Sequence, residues 1–174
     1  IRNGRVVDGT GSESRIADVA IKGSTIVAVE PNLPGTGERE IDATGLLVTP
    51  GWVDHHTHYD GQVSWDKWLT PSSWHGVTTA VMGNCGVGFA PARPDSHEWL
   101  IQLMEGVEDI PGSALTEGLT WGWETYPEYL DKIASLPKVM DIGSQVTHGP
   151  LRAYVMEERA GDDLAATEED LQEM

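Results

Sequence analysis

Cysteine occurs once in this 174-residue chain, at Cys85, so an internal disulfide framework is excluded and the single thiol must serve chemistry or packing. Basic residues are scarce as well. Lys and Arg together number 11 against 28 Asp and Glu, a formal charge of -17, which argues against a nucleic-acid backbone or an anionic membrane surface as partner. Long apolar runs are missing: no window approaches the roughly 18 apolar residues of a spanning helix. The opening "IRNGRVVDG" has no charged-then-apolar signal-peptide plan. Together these absences predict a cytoplasmic protein. What is present, 39% hydrophobic residues and seven Trp, is enough to build a core. The chain starts at Ile1 without Met and stops at "EEDLQEM" just after a helix-start signal, so it reads as a segment of a longer protein.

The first third reads as short strands. In "DVAIKGSTIVAVE", Val19 and Ile21 alternate with small or polar residues, Gly23-Ser24 supplies a turn, and Ile26, Val27 and Val29 resume the pattern, which predicts a β-hairpin. "PNLPGTGERE" is loop-like, before a short strand around Glu40-Ile41-Asp42. Residues 1 to 45 thus form part of a small β-domain, and residues 46 to 174 differ in texture. "LLVTPGWVDHHTH" reads as one buried parallel strand with polar groups at its end. A helix is expected next, then a second strand in "GVTTAVMGNCGVG". "SHEWLIQLMEGV" places Trp99, Leu100, Leu103, Met104 and Val107 at helical spacing with Ser96 as N-cap. "TYPEYLDKIASL" carries a Thr125/Glu128 capping box, "KVMDIGSQVTHG" is a third strand, and Thr167 caps a last helix. The alternation of strand and helix is the grammar of a parallel α/β fold. The acidic tail from Glu157 to Met174 reads as a solvated helical face.

The segment "GWVDHHTHYD" carries the chemistry. Residues two apart on a strand point the same way, so His56 and His58 share one face and can each give a nitrogen to one divalent cation at about 2.0 to 2.1 Å. Asp54, of the same parity, is the expected outer partner that accepts a ring N–H. On its own the pattern serves a metal or plain polar surface equally well. His55, His75 and His97 read as surface or structural residues. Cys85 by itself reads as a small buried hydrophobe.

"LLVTPGWVDHHTHYDGQ" resembles the first barrel strand of the metal-dependent amidohydrolase superfamily, with its apolar strand, Pro-Gly and Asp-x-His-x-His. "GVTTAVMGNCGVGFAPARP" and "QVTHGPLRAYVM" are similar to its N-acyl-D-amino-acid deacylase (D-aminoacylase) branch, and the likeness runs from the hairpin to at least Met156. The resemblance implies a small β-sandwich-like domain followed by the first three strands of a TIM-type (β/α)8 barrel, and a hydrolase of linear amides that takes N-acylated D-amino acids as small-molecule substrates. It implies Zn2+, one or two ions, with His56, His58 and Cys85 as metal ligands. No lysine at a strand end stands ready to bridge two metals, since Lys138 opens its strand. The general-base aspartate and further histidine ligands of the family come from later strands, beyond residue 174, so this segment alone is expected to be inactive. The rest of the barrel must come from the same chain or another, and a homo-oligomer is compatible. His148 and Arg152, at the end of the third strand, are candidate substrate contacts, or they brace the loop. The long loop "GVEDIPGSALTEGLTWGWETYP", which holds Trp121 and Trp123, walls a substrate pocket or an oligomer interface, or packs on a helix. A cyclic-amide hydrolase of the hydantoinase or dihydroorotase kind, or a non-catalytic metal-binding fragment, are the alternatives.

Overall fold

Alternating apolar residues around Val19 form a hairpin because every second Cβ then faces the same side of a pleated ribbon. In the computed structural model, which describes residues 1–162 and 164–174, the first sheet contains β1 (Gly4–Val6), β2 (Arg15–Lys22), β3 (Thr25–Glu30) and β4 (Leu47–Val48), in the order β3-β2-β1-β4. The hairpin is the antiparallel β2–β3 pair, with a bulge between Ala20 and Ile21. Val6, Ala17 and Val19 make a small core, while Ile21 and Ile26 stay exposed. The strand expected at Glu40–Asp42 reduces to a single bridge between Arg2 and Asp42. Arg2 spends its guanidinium on Asp18, Glu40 and the Leu33 carbonyl, which ties down the loop without a ladder.

The single strand expected across "LLVTPGWVDHHTH" is two. β4 joins the first sheet, whereas β5 (Trp52–Asp54) joins a second one, and Pro50 between them has no N–H with which to continue a ladder. The chain accordingly divides into two compact units, Ile1–Gly51 and Trp52–Met174. In the second unit, β5, β6 (Val77–Met82) and β7 (Asp141–Ser144) pair in parallel in chain order, so the carboxyl ends of all three emerge on one side.

The first crossover lacks the expected α-helix and contains two 3-10 turns, Gln62–Ser64 and Ser72–His75. Asp66 accepts the backbone N–H groups of Trp68 and Thr70, which takes those amides out of any helical ladder. The second crossover carries α1 (His97–Glu108), α2 (Gly112–Gly118) and α3 (Tyr126–Ser135). α1 buries Leu100, Ile101 and Met104, while Trp99 and Val107 are exposed, so its inward face is turned toward Ile101. Ser96 does not cap it; its hydroxyl donates to the Arg93 carbonyl. α3 has the expected capping box of Thr125 and Glu128. α2 falls within the stretch read as loop.

Trp123 is buried against Tyr129, 5.0 Å between ring centroids, and its indole N–H donates to the Phe89 carbonyl. Trp121 stacks on His97 at 3.6 Å, so His97 is a packing residue rather than a free surface one. Phe89, Leu100, Met104, Leu115 and Tyr129 centre the core, and full burial of each large apolar side chain contributes about 1.5–3 kcal/mol. After β7 come α4 (His148–Met156), a 3-10 turn at Glu157–Asp162 and α5 (Glu168–Glu173). Asp163, among the acids assigned to a solvated face, lies outside the described residues. The tail is not uniformly solvated either, because Asp170 is buried. Among the described residues no helix is long and apolar enough to cross a membrane.

Two predictions follow from the packing. Gly83 has φ +82, and a Cβ there runs into the Gln145 carbonyl; Gly83→Ala is expected to cost more than about 1 kcal/mol in urea unfolding. Asp170 accepts from Arg159 and from the Thr167 amide and hydroxyl, which hold its carboxyl well below the ordinary carboxylate range. A depressed carboxyl contributes stability above its unfolded pKa, and that contribution fades as pH falls through the folded value. Protection of the α5 amides, taken relative to their intrinsic exchange rates, is therefore expected to hold down to about pH 4 and to fall below it, and Asp170→Asn is expected to flatten that acid limb.

Candidate metal centre

β5 ends at Asp54, yet the next residues keep running beside β6. The Thr57 amide donates to the Val81 carbonyl at 2.9 Å, and the buried Thr57 hydroxyl donates to the same oxygen at 2.8 Å. With Thr57 fastened toward β6, its neighbours His56 and His58 share the opposite side. Their rings lie 5.6 Å apart between centroids. The two imidazoles thus face one way by the parity read from the sequence, although they stand just past the strand.

Cys85 comes from the turn after β6. Gly83 (φ +82), Cys85 (φ +55) and Gly86 (φ +74) all lie in the left-handed region, which glycine enters freely and cysteine at a cost. Asn84 holds the turn in this shape. Its side-chain amide donates to the carbonyls of Thr57 and Val81, and its oxygen accepts from the Gln145 amide at 3.0 Å, so one residue links the ends of β5, β6 and β7. The Gly83 N–H donates to buried Asp60 at 3.1 Å, a second tie between the two ligand-bearing loops. The Cys85 sulfur then lies 3.4 Å from His56 Nε2, and one donor atom each of His56, His58 and Cys85 falls within 4.8 Å of the others. One soft sulfur and two imidazole nitrogens at this separation fit a zinc-type donor set. Cys85 and His56 are exposed and His58 is half-buried, so the cluster is open on the side of Cys85 and His56.

Carboxylates flank the cluster. Burial pushes the Asp60 carboxyl up to about 7 against the opposing Gly83 hydrogen bond, and the charge of Glu108 adds to the rise. Glu108 Oε1 is 3.0 Å from His58 Nδ1, although that nitrogen has no aligned hydrogen-bond partner. Asp54 does not accept a ring N–H as expected: its carboxylate accepts the backbone N–H of His56, two residues on, at 3.2 Å. His148 is exposed at the first position of α4, not at a strand end, and is not among the clustered donors. Arg152 donates to the Leu164 carbonyl at 2.9 Å, which is the bracing option. His55 and His75 are exposed. The roles of Asn84, Asp60 and Glu108 were not foreseen; Asn84 stood in a motif beside Cys85, but nothing local marks Glu108.

A family model described as the amidohydrolase family matches residues 39–174, and the chain belongs to that family. It is 32% identical over all 174 residues to the D-aminoacylase of Alcaligenes xylosoxydans xylosoxydans, of which it spans 33%. A solved D-aminoacylase structure superposes with a TM-score of 0.77 at 33% identity, covering 99% of this chain and 33% of that one. An N-acyl-D-glutamate deacylase from Bordetella bronchiseptica, complexed with zinc and a phosphonate mimic of the reaction's tetrahedral intermediate, gives 0.70 at 27% identity, covering 98% and 33%. The chain therefore spans about a third of the length of these relatives.

The Asp60 tie yields a prediction. Asp60→Ala leaves the buried Gly83 N–H without its acceptor and is expected to cost about 1–3 kcal/mol in denaturant unfolding, with faster amide exchange at Gly83 to Gly86. Exchange unchanged across that turn would mean that Asp60 does not support it.

Proposed function

We propose that His56, His58 and Cys85 bind zinc, as one or two ions, and that the whole protein hydrolyses the amide bond of N-acyl-D-amino acids. The observation that carries this reading is the convergence of those three donor atoms within 4.8 Å at the carboxyl ends of adjacent parallel strands. That end is where (β/α)8 enzymes build their sites. In this reading residues 52 to 174 supply the first three barrel strands, residues 1 to 51 supply part of a small β-domain, and the later strands come from the rest of the protein or from a partner chain.

Zinc bound there would supply a Lewis acid that polarises the amide carbonyl and brings the pKa of water toward about 7. The residues of this chain do the holding. Cys85 gives its sulfur as thiolate, His56 and His58 give ring nitrogens, and Asn84 keeps the Cys85 turn from relaxing out of its left-handed conformation. The exposed side, beside His56 and Cys85, leaves room for a small acylated substrate to approach. In this reading the proton shuttle falls to an aspartate from a later strand, as the family resemblance implies, while Asp54 is engaged with the backbone of His56. Cys85 beside His56 supports the linear-amide reading over the cyclic-amide one, which uses a bridging carboxylated lysine.

The test is made on the full-length protein, by zinc content and by hydrolysis rates of N-acetyl-D- and N-acetyl-L-amino acids. Wild type is expected to hold zinc and prefer the D substrates, and Cys85→Ala is expected to lose more than about 100-fold in zinc affinity and in rate. Full metal and full rate in Cys85→Ala, or equal use of both enantiomers, contradict the reading.

A further inference from the structure

We propose that Glu108, fifty residues along the chain from its target, is the positioning residue that orients the His58 imidazole for metal binding. This rests on the zinc reading above. Four observations converge on it. Glu108 Oε1 lies 3.0 Å from His58 Nδ1, and the two side chains are only 22% and 18% exposed. With Nδ1 this close to Glu108, Nε2 is the ring nitrogen left for a metal. The carboxylate also stands where electrostatics disfavours it: Glu108 is the last residue of α1, whose helix dipole is negative there, and no basic residue occupies that last turn. A second acid, Asp109, follows it directly at the same helix end, in a left-handed conformation. Among the described residues, His58 is the one basic group within ion-pair distance of Glu108.

A carboxylate held against a helix dipole and another carboxylate needs a compensating positive partner, and an imidazole polarised by zinc is such a partner. Nδ1 is buried and, among the described residues, no other offers it an acceptor; Glu108 Oε1, at 3.0 Å though not aligned for a hydrogen bond, is the oxygen beside it. Glu108 therefore acts through His58: it favours the tautomer protonated at Nδ1, fixes the ring plane and raises the donor strength of Nε2. It does not join the ligand cluster itself, whose atoms come from His56, His58 and Cys85.

The experiment measures zinc affinity of the full-length protein by competition with a chromogenic chelator, alongside thermal stability of the metal-free protein, in wild type, Glu108→Ala, Glu108→Gln and Cys85→Ala. Glu108→Ala is expected to bind zinc about 10- to 100-fold more weakly, with Glu108→Gln intermediate, because the amide keeps an acceptor oxygen and loses the charge. Metal-free stability is expected to stay at the wild-type value in Glu108→Gln, and in the cobalt-loaded variants the sulfur-to-metal charge-transfer band is expected to persist while the ligand-field bands shift. Wild-type zinc affinity in Glu108→Gln overturns the proposal whether or not Glu108→Ala folds. If Cys85→Ala loses zinc in that case, only the role of Glu108 falls. If Cys85→Ala also binds like wild type, the metal reading falls with it.

Discussion

The Val81 carbonyl is the point on which the rest of the site depends. It takes three donors, the amide and hydroxyl of Thr57 from beyond β5 and the side-chain amide of Asn84 from the turn after β6. A carbonyl oxygen has two lone pairs, so this crowding locks the ends of two neighbouring strands in one register. Thr57 facing Val81 makes His56 and His58 face away from it, and Asn84 facing it leaves Cys85 to swing outward. The cluster of donors is the geometric remainder of that arrangement.

Holding Cys85 at φ +55 costs conformational energy that a glycine would not incur, and Gly83 and Gly86 on either side follow the same left-handed path. Asn84, Asp60 and Gln145 offset this by giving the turn hydrogen bonds that an extended chain would lack. Strain of this kind persists where the surroundings over-determine the backbone. Here those surroundings come from all three parallel strands, which is why a half-open cluster needs a full βα framework behind it.

Much of this was legible in the chain itself, for identifiable reasons. The hairpin, the capping box at Thr125, the cap at Thr167 and the three core strands all follow from local periodicity and side-chain chemistry, which act within a few residues. The pairing of His56 with His58 followed from the two-residue repeat, and their grouping with Cys85 from the resemblance to a family. The misses share a cause. The break at Pro50, the Asp66 turn that replaces a helix and the helical state of His148 depend on which hydrogen bonds outcompete others nearby. Glu108 reaches His58 only through the path of α1 across the second crossover, a contact no short window of residues contains. Asp54 shows the converse, a correct parity defeated when the strand stopped early.

The central claim is that the Cys85 sulfur and the two imidazoles share a metal ion. Zinc-edge X-ray absorption on the full-length, zinc-loaded protein tests it most directly. The account predicts a sulfur scatterer at about 2.3 Å together with imidazole nitrogens at about 2.0–2.1 Å, the sulfur shell vanishing in Cys85→Ser. A zinc shell of nitrogen and oxygen alone in the wild-type protein would contradict it.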